Sequence, residues 1–346
     1  MPARASDDVF TVGPVPVDAT AKNAAAAREA ARLDGQRRAL RLLLQRLTPA
    51  AEWSQLPSPG DAAIANLIRD FEVANEKSSG VRYLADYTYR FRPDPVRRLL
   101  RDANLAFAET PSKPVIVLPV LVRSNRPVLW DDPNPWREAW AGRKAVQGLV
   151  PVSVPVGDLA DVQAIDAQQA LAADTDALDR IAKRYGGGDV VVAQATDRSD
   201  GSELTVVQTT VARFGLAPMP AATRTWRANP GESEADFLAR VVDGAVQTVN
   251  AAWKKDNLLR FGQEATLAVV VPIGSLADWV AVRDRLAEIA AVRRSDLVSL
   301  SRQEAHLELH YVGDPAQLRL ALAQRDLVLA EGTPYWTLQR RGVNPQ

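Results

Sequence analysis

The chain has 346 residues, 42 basic and 42 acidic side chains, no Cys and only two His. Balanced charge gives no broad field to draw nucleic acid or anionic lipid, and the scarcity of thiol and imidazole closes the commonest routes to nucleophilic and metal chemistry. Apolar residues make up 47% of the chain, enough for real cores; at roughly 100–200 residues per domain the length predicts two or three domains, and no apolar run approaches the roughly 20 residues that span a bilayer.

Ala3-Arg4-Ala5 before Ser6 has the small-x-small pattern that signal peptidase reads. With Met1-Pro2 as a start placed over a trimmed signal peptide, and no Cys to be oxidised, the expectation is an exported periplasmic protein, not membrane-spanning in its mature form. Residues 9–17 read as a strand confined to a sheet edge by Pro14 and Pro16. Asp18 or Thr20 is the expected cap of a long helix to Leu47, with small residues Ala24, Ala27 and Ala31 and then the stripe Leu40, Leu43, Leu44 and Leu47. A second helix is expected over 60–71. Residues 81–91 alternate: Val81, Tyr83, Ala85, Tyr87, Tyr89 and Phe91 share one face of a strand. Asp94-Pro95 opens a short helix, and 109–114 reads as a linker.

The unbroken apolar run 115–122 predicts a central strand buried on both faces. A Trp-bearing loop and helix over 130–145 follow, then a strand at 150–156, a helix at 176–185 and strands at 189–196 and 204–214. A helix over 233–255 closes this part. The remainder reads as β-α-β-β-α-β: strand 266–271, a Ser275-capped helix to 290, strands 292–300 and 305–312, a helix from Asp314-Pro315 to 323, and strand 326–330. A final strand is placed at 335–340. The expected fold class is α/β (α+β) in three modules: β-α-α-β-α at 7–110, an α/β sheet domain at 111–262, and a ferredoxin-like βαββαβ domain at 263–341.

His306, Glu308 and His310 share one strand face, the one cluster of metal-ligand types. With Ala305, Leu307, Leu309 and Tyr311 as the core face, the His–Glu face reads as solvated, and no metal is expected. Gly186-Gly187-Gly188 follows a helix and precedes a strand, the reverse of a phosphate loop, so a helix C-cap is predicted. Asp197 to Gly201 lacks the spacing and the downstream Glu of a calcium loop and reads as a hairpin. Arg90, Arg92, Arg97, Arg98 and Arg101 are interleaved with Asp94 and Asp102, a pattern for a solvated face or subunit contact. The most unusual composition is Trp130-Asp131-Asp132-Pro133-Asn134-Pro135-Trp136, with Trp140 beyond it. Aromatic side chains beside carboxylates suit a partner-binding surface. Trp136 and Trp140 at i, i+4 also suit a helix face packed beneath the sheet, with Asp132 or Asn134 as its cap, and this reading carries more weight for the helical pair. Trp130, Asp131, Asp132 and Trp136 are the candidate partner contacts.

Val15-Pro16-Val17-Asp18, Ala27-Arg28-Glu29-Ala30-Ala31, Leu42-Leu43-Leu44-Gln45-Arg46-Leu47-Thr48, Tyr87-Thr88-Tyr89-Arg90-Phe91 and Lys113-Pro114-Val115-Ile116-Val117-Leu118-Pro119 resemble the proteobacterial domain-of-unknown-function family twenty sixty-six. The resemblance implies an exported envelope protein and no catalytic residues. The middle part, with Ile181-Ala182-Lys183-Arg184-Tyr185-Gly186 before Asp189-Val190-Val191-Val192, is similar to the amino-terminal domain of TolB and the middle domain of the flagellar protein FlgT. That layout implies protein–protein contacts in the envelope. The expected function is a non-enzymatic periplasmic adaptor, without cofactor, that engages other envelope proteins and recruits through the Trp loop or an edge strand such as 9–17. The alternative is a periplasmic carrier of a small molecule, lipid or glycan in an inter-domain cleft. An enzyme ranks third, since no pair of carboxylates is placed as acid and base. The oligomeric state is left open.

Overall fold

A computed structural model describes residues 9–143, 148–259, 264–289 and 291–341. Ala3-Arg4-Ala5, expected as a signal-peptide stub, and the predicted helical residues 144 and 145 lie outside them. The protein is mixed α/β, with three sheets, ten α-helices and one 3-10 helix among the described residues. The chain divides into two compact units. One takes Met1–Pro111, Gln147–Leu149 and Lys254–Gln346; the other takes Ser112–Val146 and Val150–Trp253.

The first elements are β1 (Thr11–Thr20), α1 (Ala24–Leu47), a 3-10 helix (Ala50–Gln55), α2 (Asp61–Leu67), β2 (Ile68–Ser78), β3 (Arg82–Phe91) and α3 (Pro93–Asp102). Their sheet has the order β1-β3-β2, antiparallel throughout. Tyr83, Ala85, Tyr87, Tyr89 and Phe91 are all buried, as the alternation predicts, in one core with the α1 residues Ala27, Ala31, Leu40, Leu43, Leu44 and Leu47. β1 runs on to Thr20, so α1 starts later than expected and Asn23 caps it, its Oδ1 accepting from the Ala26 amide at 2.8 Å. The expected helix over 60–71 ends at Leu67, where β2 begins and makes the unit β-α-α-β-β-α. β2 lies at the sheet edge and its charges pair across the strands, Asp70 with Arg90 at 2.6 Å and Glu72 with the same guanidinium. A strand held by such cross-strand pairs shows no apolar alternation to read.

Gly35, inside α1, answers a close approach. A Cβ there would lie 2.6 Å from Tyr89 Oη and 3.1 Å from Val17 Cγ1. Tyr89 has no exposed surface and its hydroxyl donates to the Arg32 carbonyl at 3.2 Å, so the ring cannot retreat without losing a bond. The expected linker at 109–114 is in part packed structure: Ala108, Glu109, Thr110 and Ser112 are buried. Just before it, the Ala108 amide donates to the Leu47 carbonyl at 2.9 Å and the Leu259 amide to the Phe107 carbonyl at 2.8 Å. Glu109 accepts from Arg97 Nε at 2.8 Å, although burial still pushes its carboxyl above the usual range.

The second unit contains β4 (Val115–Arg123), β5 (Arg126–Val128), α4 (Pro135–Ala141), β6 (Val152–Ser153), α5 (Leu159–Ala164), α6 (Ala167–Leu171), α7 (Thr175–Arg184), β7 (Val190–Asp197), β8 (Val206–Phe214), β9 (Met219–Arg227) and most of α8 (Glu234–Asp256). The sheet order is β5-β4-β7-β8-β9, with β6 also beside β4; β4 is parallel to β6 and β7, and β7-β8-β9 is an antiparallel meander. The apolar run makes β4 a buried interior strand as read. Gly186 and Gly187 take positive φ at the end of α7, and a side chain on Gly188 would collide with the Pro114 carbonyl. The buried Asp189 accepts from Arg213 Nε at 2.8 Å and from the Leu216 and Ala217 amides at 2.7 and 3.1 Å, which fixes the turn into β9. β5, α5, α6 and β9 were not expected. β9 is an edge strand whose buried side chains are only Met219 and Trp226, too few to show a period.

The last elements are β10 (Glu264–Pro272), α9 (Leu276–Ala287), β11 (Val292–Leu300), β12 (Glu304–Val312), α10 (Pro315–Ala323), β13 (Leu327–Ala330) and β14 (Trp336–Arg340). Ser275 and Asp314 cap α9 and α10, the latter in a reciprocal box with Gln317. The sheet order is β11-β12-β10-β14-β13, so the closing strand β14 is inserted parallel to β10 and holds β13 at the edge. A plain six-element βαββαβ sheet is therefore extended from within.

Gly35→Ala is expected to lower stability by about 1–3 kcal/mol through overpacking, against a gain of roughly 1 kcal/mol in helix propensity. Thermal melting of Gly35→Ala, Tyr89→Phe and the double variant checks this: the double variant loses less than the sum of the two. Lys254 gives a pH dependence. Its Nζ donates to the Gln45 and Thr48 carbonyls at 2.7 and 3.0 Å, and burial, aided by the charge of Arg46, pulls its pKa from 10.5 down to about 8. Between those values the unfolded chain binds more protons, so stability rises with pH, while the neutral amine keeps two N–H donors for the two carbonyls. Lys254→Met costs about 1–3 kcal/mol for the Gln45 carbonyl left without this donor and the Thr48 carbonyl left with only the Trp53 indole N–H at 3.4 Å. In urea denaturation its deficit should widen from about pH 7.5 to about pH 9.5; a constant or shrinking deficit contradicts the assignment.

Candidate functional site

The Trp loop is built around Asn134. This buried side chain caps α4, its Oδ1 accepting from the Arg137 amide at 3.0 Å while its Nδ2 donates to the Leu129 carbonyl at 3.2 Å. Pro135 follows at the first turn, and α4 turns Trp136 and Trp140 inward as a T-shaped pair with ring centroids 5.8 Å apart. Trp136 has no exposed surface, and its Nε1 donates to the Ala193 carbonyl of β7 at 2.8 Å. This corrects the expectation of Trp136 as a partner contact: the indole is spent on the sheet. Trp130 is half-buried, its Nε1 donating to the Ile165 carbonyl at 2.7 Å. Asp131 and Asp132 are exposed, and Asp132 pairs with Arg137 at 2.6 Å. Three of the four candidates thus reach solvent together.

The segment that receives the Trp130 hydrogen bond was not anticipated as functional. Gly157, at φ +80°, leads into Asp158, which caps α5 by accepting from the Asp161 amide at 2.9 Å. Within α5, Asp161 is fully buried. Its Oδ1 accepts from Arg184 Nε at 2.7 Å, and its Oδ2 accepts from the Tyr185 hydroxyl at 2.8 Å and the Gly157 amide at 3.0 Å. Burial and the Asp161 carboxylate together push the Tyr185 hydroxyl up, keeping it a donor, and Arg184 is also bound by Asp158. Ala164 and the following Ile165 are buried as well, but the larger apolar residues before them go the other way: Val156 and Leu159 are each 74% exposed and Val162 is 45% exposed. A helix at a protein surface ordinarily buries its apolar side and solvates its carboxylates. α5 buries a carboxylate together with Ala164 and leaves its two largest apolar side chains in water.

The exposed residues border the Trp loop. A Cβ on Gly157 would lie 3.1 Å from Trp130 Cε3 and 2.8 Å from Arg137 Nη1, so this backbone rests against the indole. Arg137 Nη1 also donates to the Val156 carbonyl at 3.4 Å. Three exposed apolar side chains, Val156 before α5 and Leu159 and Val162 on it (hereafter the ridge), thus belong to a segment whose Gly157 and Ile165 touch Trp130. The signal in the sequence was the i, i+3 spacing of 156, 159 and 162, which alone reads as a core stripe; that Asp161 would take the buried side depends on residues beyond 180.

The other sequence candidates are occupied locally. His306 Nε2 is 2.8 Å from a Glu304 oxygen and its ring meets Tyr335 edge-on, while His310 Nε2 is 3.1 Å from an Asp296 oxygen. Glu308 is exposed, and among the described residues no group of three or more His, Asp or Glu is arranged to hold a metal ion. Of the basic cluster, Arg90 is held by Asp70 and Glu72, and Arg97 by Asp94 and Glu109. The expected strand addition at 9–17 is closed off. Pro14 and Pro16 remove two amide donors, and Arg46 takes the Val9 and Thr11 carbonyls at 2.7 and 2.6 Å while Arg38 takes that of Pro16 at 2.7 Å.

Asp161→Ala is expected to cost about 1–3 kcal/mol by leaving buried donors unpaired, and to loosen amide-exchange protection over 157–165. Leu159→Ser and Val162→Ser are expected to leave stability within about 0.5 kcal/mol of the parent, because both side chains already face water. Thermal melts of the three variants check both; a Leu159→Ser loss as large as that of Asp161→Ala would show that the ridge is structural. No protein-family model, no curated protein and no solved structure matches the chain, and no residue role is carried over from one.

Proposed function

We propose that the protein is a non-enzymatic adaptor of the cell envelope that docks a partner protein on the ridge of Val156, Leu159 and Val162 beside Trp130. The observation that carries this is that α5 holds the Asp161 carboxylate inside and keeps Leu159 and Val162 in water. Burying a Val or Leu side chain fully is worth about 1.5–3 kcal/mol, so covering three that are 74%, 74% and 45% exposed supplies roughly 3–6 kcal/mol toward association before the costs of ordering. Contiguous apolar surface rimmed by polar groups marks interaction sites. Trp130 adds a half-buried aromatic whose Nε1–H is already satisfied.

Export to the periplasm belongs to the same proposal and is supported by the absence of Cys. So does kinship with the proteobacterial domain-of-unknown-function family twenty sixty-six, carried by the segments quoted above. We read the middle sheet as the arrangement seen in TolB and FlgT, and the last sheet as a ferredoxin-like set enlarged by β14, in three modules. The test is photocrosslinking in cells from a benzoylphenylalanine placed at Leu159 or Val162, with the exposed Leu42 as the control position. The expected result is one envelope protein linked from both ridge positions and not from Leu42. Equal yields from all three positions, or none from the ridge, would sink the proposal.

A further inference from the structure

We infer that the ridge accepts a cationic segment: a stretch of the partner protein in which apolar side chains are flanked by Lys or Arg. This rests on the docking reading above and adds the chemistry of the occupant.

The rim of the ridge is acidic although the whole chain is neutral. Asp131, Asp132 and Asp158 stand beside it in solvent, Asp166 is exposed next to the Ile165 carbonyl that receives Trp130, and Glu138 is exposed on α4. The cations among these elements are already committed. Arg137 serves Asp132 and the Val156 carbonyl, Arg184 serves Asp158 and the buried Asp161, and Arg180 donates to the Ala164 carbonyl at 3.2 Å. Asp131 and Glu138 have no ion-pair partner among the described residues. Asp131, Asp132, Glu138, Asp158, Asp161 and Asp166 outnumber Arg137, Arg180 and Arg184, so the exposed apolar side chains belong to segments of net negative charge.

Two classes of occupant fit an exposed apolar ridge, a lipid surface and a protein segment. An anionic bilayer would meet the acidic rim with repulsion, since membrane-surface helices carry Lys and Arg on their polar face. A cationic segment meets it with complementary charge, which raises the association rate and makes binding salt-dependent, while the apolar contacts set the lifetime of the complex. Charge of this kind also rejects acidic competitors.

The experiment uses the full chain and three short fluorescein-labelled peptides of leucine interspersed with lysine, serine or glutamate, read by fluorescence anisotropy. The lysine peptide is expected to bind about tenfold or more tighter than the glutamate peptide, and to weaken by on the order of tenfold when salt is raised well above physiological strength. Binding should be lost in Leu159→Ser/Val162→Ser and weakened in Asp131→Asn/Glu138→Gln. Equal binding of all three peptides, still lost in the ridge variant, overturns the cationic occupant and leaves the docking reading intact. Lysine-peptide binding that the ridge variant retains places the site elsewhere and overturns the inference, as does binding of no peptide. Cosedimentation with phosphatidylcholine–phosphatidylglycerol vesicles that depends on Leu159 would replace the peptide by a lipid surface.

Discussion

The Asp161 carboxylate, with no exposed surface, is held by Arg184, the Tyr185 hydroxyl and the Gly157 amide, and the candidate site follows from that arrangement. A buried carboxylate is tolerated only when its oxygens are saturated with donors, because the desolvation penalty amounts to several kcal/mol per ion. α5 has six residues, too few for helix propensity or its own hydrogen bonds to set an orientation. The strongest local interaction therefore decides which way the helix faces. Since Asp161 must point in, Leu159 and Val162, at helical offsets that do not share its side, must point out.

Buried charge serves elsewhere to locate ends of elements rather than to make a site. Asp189 lies just after the glycines that end α7, and its bonds to Arg213 and to the Leu216 and Ala217 amides tie the start of β7 to the turn after β8. Lys254 supplies donors to carbonyls in the last turn of α1 and just beyond it, where a helix has no internal partners for its C=O groups. Both arrangements join residues far apart in sequence, and both are closed: every polar atom is turned toward the protein. The Asp161 set differs in what it displaces. Its closure leaves Leu159 and Val162 in water, which is why the Trp130 region is the candidate site while the Asp189 turn is architecture.

Elements whose cause is local could be read from the sequence. The alternation of β3, the apolar run of β4, the glycine end of α7 and the caps Ser275 and Asp314 depend on neighbours within a few residues. β2 and β9 could not, because each is an edge strand whose place is set by cross-strand partners and whose exposed faces carry no period. The Trp loop was legible as unusual composition, and the i, i+4 pair as a core face, but the role of Trp130 was not separable from that of Trp136 until their hydrogen-bond acceptors were known. α5 was misleading for a stronger reason. Its apolar spacing points to a buried stripe, and the contrary outcome is dictated by Arg184 and Tyr185, more than twenty residues on, which no local window contains.

The contrast between β1 and α5 bears on how a partner would be recognised. β1 is an edge strand of its sheet, yet prolines remove donors and the guanidiniums of Arg38 and Arg46 occupy its outward carbonyls. Strand addition needs free backbone groups in alternation, and relies on main-chain bonds that nearly any sequence can supply. Closing that edge removes an indiscriminate mode of association. Leaving side chains of one size and polarity in water at α5 keeps a selective one, because shape and rim charge discriminate between segments in a way that backbone pairing does not. A protein that covers the carbonyls of β1 while exposing Val156, Leu159 and Val162 would, on the proposed reading, recognise a partner through side chains, with the nearby acidic residues as the selective element.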